Sequence, residues 1–266
     1  MFFNLNDKNR ILKFYNLNGY AVIKDFYNKE LISNTKKYIL KDIKKVEKEF
    51  TYYEKINNKR RLRRVEKICN HSKYVQKVIN SKRIKDLLFF LTKKKNILFK
   101  DKLNFKYPGG KGYLPHIDGH FYWKDKNNII QKGWGKYSNS FTNIVIPLET
   151  SDVKNGCLFV SKKKNIKKLG NTWKKITDKL IKNSPNIKKK DLKKFDFNPA
   201  ILNPGNILIF DWHCAHKSLN NNSKLSRMIF YATYCSKIAN NKNVRFKYYY
   251  DKKFSLNDNL IKSLQF

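Results

Sequence analysis

Acidic residues are scarce in this chain: 20 Asp and Glu stand against 59 Lys and Arg in 266 residues, a net charge of +39 at neutral pH. Glycine (10), proline (6), methionine (2) and histidine (5) are also few, which excludes collagen-like and Pro/Gly-rich low-complexity structure. The four cysteines, Cys69, Cys157, Cys214 and Cys235, form no CxxC pair and are too sparse for a disulfide framework, so a reducing cytoplasm is the expected setting. No apolar run approaches the ~20 residues that cross a bilayer. Met1 to Tyr20 mixes Asn, Asp, Lys and Arg where a secretory signal would be continuously apolar, so neither export nor a membrane partner is expected.

What is present is enough to fold. Hydrophobic residues make up 41% and aromatics 15%, well above a disordered composition. The Lys excess comes with abundant Asn, Ile, Tyr and Phe and is spread along the whole length, which favours a generally basic surface; a nucleic-acid partner is the alternative that the charge raises. The length suits one domain over residues 1–266, a β-barrel or sandwich with helical decoration. Spacings of three and four predict a mainly helical support over 1–95, interrupted by one early strand at Tyr20–Ile23. From 96 to 250 the texture is β-rich, with strands expected at Ile97–Phe105, Phe141–Leu148, Cys157–Val160, Asn206–Phe210 and Met228–Cys235. Trp173, Ile176, Leu180 and Ile181 predict a helical insert near 171–183 over a barrel mouth.

With only five histidines, each can be weighed. His116-Ile117-Asp118 follows the turn Pro108-Gly109-Gly110, and strand alternation would put His116 and Asp118 on one face. A lone His-x-Asp is a weak pattern. It gains weight from His216, 98 residues beyond Asp118 after a second apolar strand, and from Arg227, 11 beyond His216. Two histidines and a carboxylate leave three positions of iron(II) open, for a bidentate 2-oxo acid and for dioxygen. Arg227 adds a planar, permanently charged fork for the far carboxylate of 2-oxoglutarate.

On these residues, and on the run His216-Lys217-Ser218 through Asn220 and Ser223 to Arg227, the chain resembles the phytanoyl-CoA dioxygenase superfamily. Within it the chain is most similar to the 2-aminoethylphosphonate dioxygenase group, through Leu62–Glu66, Phe99–Gly110, Asn155–Leu158 and Tyr248–Lys253; it departs at Ile117, where those relatives carry Gln, and at Val160–Lys163. The resemblance implies a double-stranded β-helix (jelly-roll, cupin-like) core. Iron(II) would sit on His116, Asp118 and His216, 2-oxoglutarate on Arg227, Ser218 and Asn104, with dioxygen as the second co-substrate. It also implies hydroxylation of a small charged metabolite, an aminophosphonate by kinship; another small anionic or amino-acid-like substrate is the rival.

Substrate-side candidates are less sharply marked. Position and kinship single out His120, Lys102, Lys100, Tyr122, Trp123, Arg63 and Glu66. For the basic run Lys59–Arg64 the simplest reading is a solvated helix face, and His213, out of phase with His216, reads as structural.

Overall fold

The computed structural model describes residues 2–120, 122–124, 127, 129–173, 176–177, 186–237 and 243–256; the side chains of 122–124, 131, 170–173, 176–177 and 254–256 stay outside that description. In chain order the strands are β1 (Phe2–Phe3), β2 (Tyr20–Ile23), β3 (Thr51–Ile56), β4 (Lys59–Glu66), β5 (Asn96–Lys106), β6 (Tyr113–His116), β7 (Tyr122–Lys124) and β8 (Ile130–Lys132). They continue with β9 (Phe141–Pro147), β10 (Leu158–Val160), β11 (Ile176–Thr177), β12 (Asn198–Ala200), β13 (Ile207–Asp211), β14 (His216–Ser218) and β15 (Arg227–Ser236). The helices are α1 (Lys8–Asn18), α2 (Lys29–Asp42), α3 (Lys73–Ile79), α4 (Lys82–Thr92) and α5 (Val244–Leu256).

Eight strands form one sheet in the order β1-β2-β13-β9-β15-β5-β4-β3, and four form a second, β12-β10-β14-β6. Their packing follows from alternation along the two long central strands, β5 and β15, which are antiparallel partners. One face of β5 carries Phe99, Leu103 and Phe105, which join Ile84, Leu87 and Leu88 of α4 in the larger core beneath the helices. The other face carries Lys100, Lys102, Asn104 and Lys106, opposite Thr233, Tyr231, Ile229 and Arg227 of β15. That face looks toward the small sheet, and a second apolar cluster (Val145, Leu208 and Ile229 against Leu158, Val160 and Ala200) joins the two sheets. Burying apolar side chains on both sides holds the frame, while the polar stretch of β5 keeps one part of the intersheet space open.

The N-terminal part, residues 1–95, differs from the helical expectation. Helices α1 to α4 are present, and α2 starts where the Asn28 side chain accepts the Leu31 N–H at 2.8 Å. The basic run 59–64, however, is strand β4, paired with β3 in a hairpin on the edge of the large sheet. Its two-residue turn, Asn57-Asn58, has both residues at positive φ (46° and 61°), the left-handed pair that a tight hairpin requires and that Asn tolerates. The insert differs too. Lys163–Trp173 winds as 3₁₀ turns, and Ile176–Thr177 pairs with Tyr122–Trp123 as a strand, so the helix expected over 171–183 is absent from the described part of that span; 174–175 and 178–183 lie outside the described residues.

Candidate metal centre and active-site cavity

His116 and His216 are register partners on neighbouring strands β6 and β14, which sets their rings 4.3 Å apart, centroid to centroid. Alternation does not bring in the carboxylate: β6 ends at His116, and Asp118 arrives on a turn completed by Gly119 at φ +72°. One ligand atom from each of His116, Asp118 and His216 lies within 4.8 Å of the others, the group of described residues arranged to hold a metal ion. Each imidazole is oriented through Nδ1–H, which donates to a backbone carbonyl: His116 to Leu114 O at 2.7 Å, His216 to Cys214 O at 3.1 Å. Both Nε2 lone pairs therefore face Asp118, at 3.9 and 3.8 Å from its oxygens.

The electrostatics suit a cation. Burial, with His216 alongside, pushes His116 down to about 3, and burial also lowers His216, so both rings stay in the neutral form that binds metal. Burial opposes ionisation of Asp118, but His216, Lys102 and Lys100 outweigh it and hold the carboxyl below its ordinary range. Asn143 Nδ2 donates to Asp118 Oδ2 at 3.5 Å and is itself fixed by the Thr233 hydroxyl at 2.6 Å.

These groups open onto a cavity of about 270 Å³ between the sheets, lined in part by Lys100, Lys102, Asn104, Ser218, Tyr231 and Trp134. Beside Tyr231 lies Arg227, 1% exposed, whose Nε and Nη1 have no hydrogen-bond partner among the described residues; Asn104 Oδ1 has none among them either. Two unpaired guanidinium N–H groups in an interior are costly unless an anion meets them, so the donor set fits a buried carboxylate. Ser218 is the neighbouring hydroxyl on the cavity wall. His, Asp, His and a buried arginine are thus present together, as an iron(II) and 2-oxoglutarate pair would need.

The remaining sequence candidates divide. Lys102 and Lys100 line the cavity, and Glu66 lines it already bonded to Lys252 and to Arg64 (Nε 3.4 Å). Arg63 does not. Tyr52 pairs with Arg64 and Tyr53 with Leu62, so Arg63 is the extra residue of a bulge, and it turns outward to Glu54 and to Gly112 O at 3.0 Å. Arg64 takes the inward place that the helical reading had left unassigned. His120 also lies off the cavity, its ring 3.9 Å from Trp212 and 4.6 Å from His213. His213 is tied by Nδ1 to Asp211 at 2.7 Å, in keeping with a structural role. Tyr122 and Trp123 belong to β7, but their side chains are outside the described residues. Ile117 points away from the cavity into a small cluster with Leu169, Phe195 and Ala215.

Sequence reasoning missed Arg64, Tyr113, Trp134, Tyr231, Lys106 and Lys252. Two of these carried a readable signal. Lys106 completes the alternation Lys100, Lys102, Asn104, Lys106, and Tyr231 sits in phase with Arg227 four residues earlier.

The phytanoyl-CoA dioxygenase (PhyH) family model matches residues 15–229. The chain belongs to that family. Among curated relatives it is similar to dioxygenase lolE1 of Epichloe uncinata, 30% identical over 69% of this chain and 63% of that protein. It is also similar to the methylphosphonate hydroxylase of Gimesia maris (28%, covering 79% and 71%) and to the 2-aminoethylphosphonate dioxygenase of an uncultured bacterium, HF130_AEPn_1 (26%, covering 73% and 66%). The match thus spans under two thirds of the first relative's length. Among solved structures, the non-heme alpha ketoglutarate dependent epimerase SnoN superposes with a TM-score of 0.64 at 13% identity over 87% of this chain and 84% of that one, a likeness of fold. Among the described residues no helix is long and apolar enough to cross a membrane.

Proposed function

We propose that this chain is an iron(II)- and 2-oxoglutarate-dependent oxygenase that hydroxylates a C–H bond of a small charged metabolite, built as one domain on a double-stranded β-helix and working in the cytoplasm. The observation that carries the reading is the cluster His116, Asp118 and His216, with both imidazoles anchored through Nδ1 so that their free nitrogens converge. His116, Asp118 and His216 would hold the iron. Arg227, with its two unbonded N–H groups, would take the far carboxylate of 2-oxoglutarate, with Ser218 and Asn104 beside it. When bound there, iron(II) with 2-oxoglutarate and dioxygen supplies a one-oxygen oxidant, releasing succinate and CO2.

The chain's own work is placement and exclusion. Asp118 offsets the charge of the metal, Arg227 orients the co-substrate, and the walls between the two sheets limit water. Kinship with phosphonate-oxidising relatives supports a phosphonate or a related anion as substrate, and the lysines at the cavity accord with it. The test is anaerobic titration of the iron(II)-loaded protein with 2-oxoglutarate, followed by oxygen and a panel of small phosphonates and carboxylates. A visible charge-transfer absorption and substrate-stimulated succinate are expected; absence of both would reject the oxygenase reading.

A further inference from the structure

Neutral oxygens can hold an ammonium group, but the strongest recognition comes from a free carboxylate or an open aromatic face. The described part of this cavity offers neither. Its two acids are Asp118, which belongs to the metal cluster, and Glu66, which is 2% exposed and bonded to both Lys252 and Arg64. Its aromatic rings already carry cations: Lys100 Nζ lies 4.0 Å from the Trp134 ring centroid, Lys102 Nζ 4.9 Å from that of Tyr231, and Arg63 4.4 Å from that of Tyr113.

The cations tell the opposite story. Lys100 is only 8% exposed, yet neither it nor Lys102 has a carboxylate within ion-pair distance among the described residues. Both line the cavity from one face of β5, two residues apart, so their side chains rise side by side next to the metal cluster. With ring faces but no carboxylate in ion-pair reach, burial pushes Lys100 down to about 7, so its charged form is costly in an empty site and favoured once an anion arrives. Arg64 adds a third positive charge on the adjacent strand, and Lys252 a fourth behind Glu66. A substrate ammonium entering this space would meet Lys100, Lys102 and Arg64 on the β4–β5 side, while Asp118 and Glu66, the carboxylates of the described wall, are already engaged.

We infer that the substrate of this site is an anion with no ammonium group: a phosphonate or carboxylate on a short neutral chain, its anionic head held by Lys100 and Lys102. The inference rests on the oxygenase reading for the placement of substrate beside the metal, and narrows it: of the two phosphonate classes among the relatives, the amino-free one fits.

Matched pairs test it. Ethylphosphonate against 2-aminoethylphosphonate, and propanoate against 3-aminopropanoate, differ by one ammonium, and each is titrated calorimetrically into the anaerobic iron(II)-loaded protein. At least one amino-free anion is expected to bind about thirtyfold more tightly than its amino partner, the scale of one desolvated charge contact; comparing the two pairs separates phosphonate from carboxylate. Lys102→Met, and Lys100→Met where it folds, should each lose about as much for the amino-free anion, and Lys102→Glu should turn the preference toward the amino compound. Equal or tighter binding of the amino compounds, no binding of either amino-free anion at millimolar concentration, or unchanged affinity in Lys102→Met would overturn the inference. Failure of the oxygenase reading shows separately: the anions bind as expected, but 2-oxoglutarate gives no charge-transfer absorption.

Discussion

Lys106 Nζ donates to Ser218 Oγ at 2.8 Å, and the same oxygen accepts the backbone N–H of Tyr113 at 3.1 Å. With both lone pairs engaged, the Ser218 hydroxyl keeps only its own proton, and it lines the cavity as a donor. Lys106 also donates to Gly156 O at 3.1 Å and Leu219 O at 2.5 Å. Three oxygens around one nitrogen call for the ammonium form, against burial and Arg227, which push its pKa down to about 6. Lys106→Met should therefore weaken 2-oxoglutarate binding about tenfold, one lost hydrogen bond to a charged group, and leave iron(II) affinity unchanged. In a Ser218→Ala background the same change should add little, because the two act through one donor. Additive losses in an anaerobic 2-oxoglutarate titration would contradict that coupling.

How much of this was legible beforehand depends on which elements made the site. His116 and His216 are close in space because β6 pairs with β14, and Arg227 shares a face with Asn104 on the cavity side because β15 pairs with β5. A residue-type pattern with fixed offsets exposes that arrangement without the fold. Arg63 and Arg64 were not separable in the same way. Their facing depends on strand parity and on a bulge, and a one-residue shift exchanges inside for outside. The Asn57-Asn58 turn was the readable sign of a hairpin there, hidden by a basic run that also suits a helix. His120 followed alternation from Asp118 on paper, but the turn at Gly119 breaks the strand and sends its ring to Trp212.

His116 and Arg227 should fail differently when changed. Removing a ligand imidazole in His116→Ala leaves two donors and is expected to abolish iron(II) retention on desalting, with 2-oxoglutarate affinity lost as a consequence. Arg227→Lys keeps the charge but not the two-pronged donor, and should retain iron while weakening 2-oxoglutarate by about a hundredfold. Metal analysis alongside a 2-oxoglutarate titration checks both; equal iron contents and equal affinities would refute the assignment of roles.

Gly119 links the ligand turn to the cavity wall. At φ +72°, a Cβ there would lie 2.5 Å from the Trp134 ring, and Trp134 lies under the Lys100 ammonium. Gly119→Ala has to strain the backbone and displace the indole, so a loss of about 1–3 kcal/mol in unfolding free energy is expected. The shift of Trp134 should also lower anion affinity. A variant with wild-type urea midpoint and wild-type anion binding would show that the turn tolerates a side chain.

Glu66 lets the charge balance of the cavity be tested through stability. Burial alone would raise its pKa, but Lys252 and Arg64 outweigh burial and bring it down to about 2 from the ordinary 4.5. A carboxylate whose folded pKa is depressed stabilises the fold fully above the unfolded value, and the contribution disappears as pH falls from about 4.5 toward about 2. Glu66→Gln removes the charge at every pH and leaves Lys252, 4% exposed, without its counter-ion. Urea unfolding at pH 7 should show a loss of about 3 kcal/mol, the usual cost of breaking a buried pair from one side. Between pH 5 and pH 3 (set about the ordinary carboxylate pKa) the variant should lose less further stability than the wild type, since its share of the acid transition is gone. Adding Lys252→Met should recover part of the loss, because a neutral pair of similar volume no longer strands a cation. If Glu66→Gln were as stable as wild type at pH 7, or if its acid limb were just as steep, Glu66 would not be the carboxylate that Lys252 and Arg64 hold ionised, and the cavity would have an acid to spare for an ammonium.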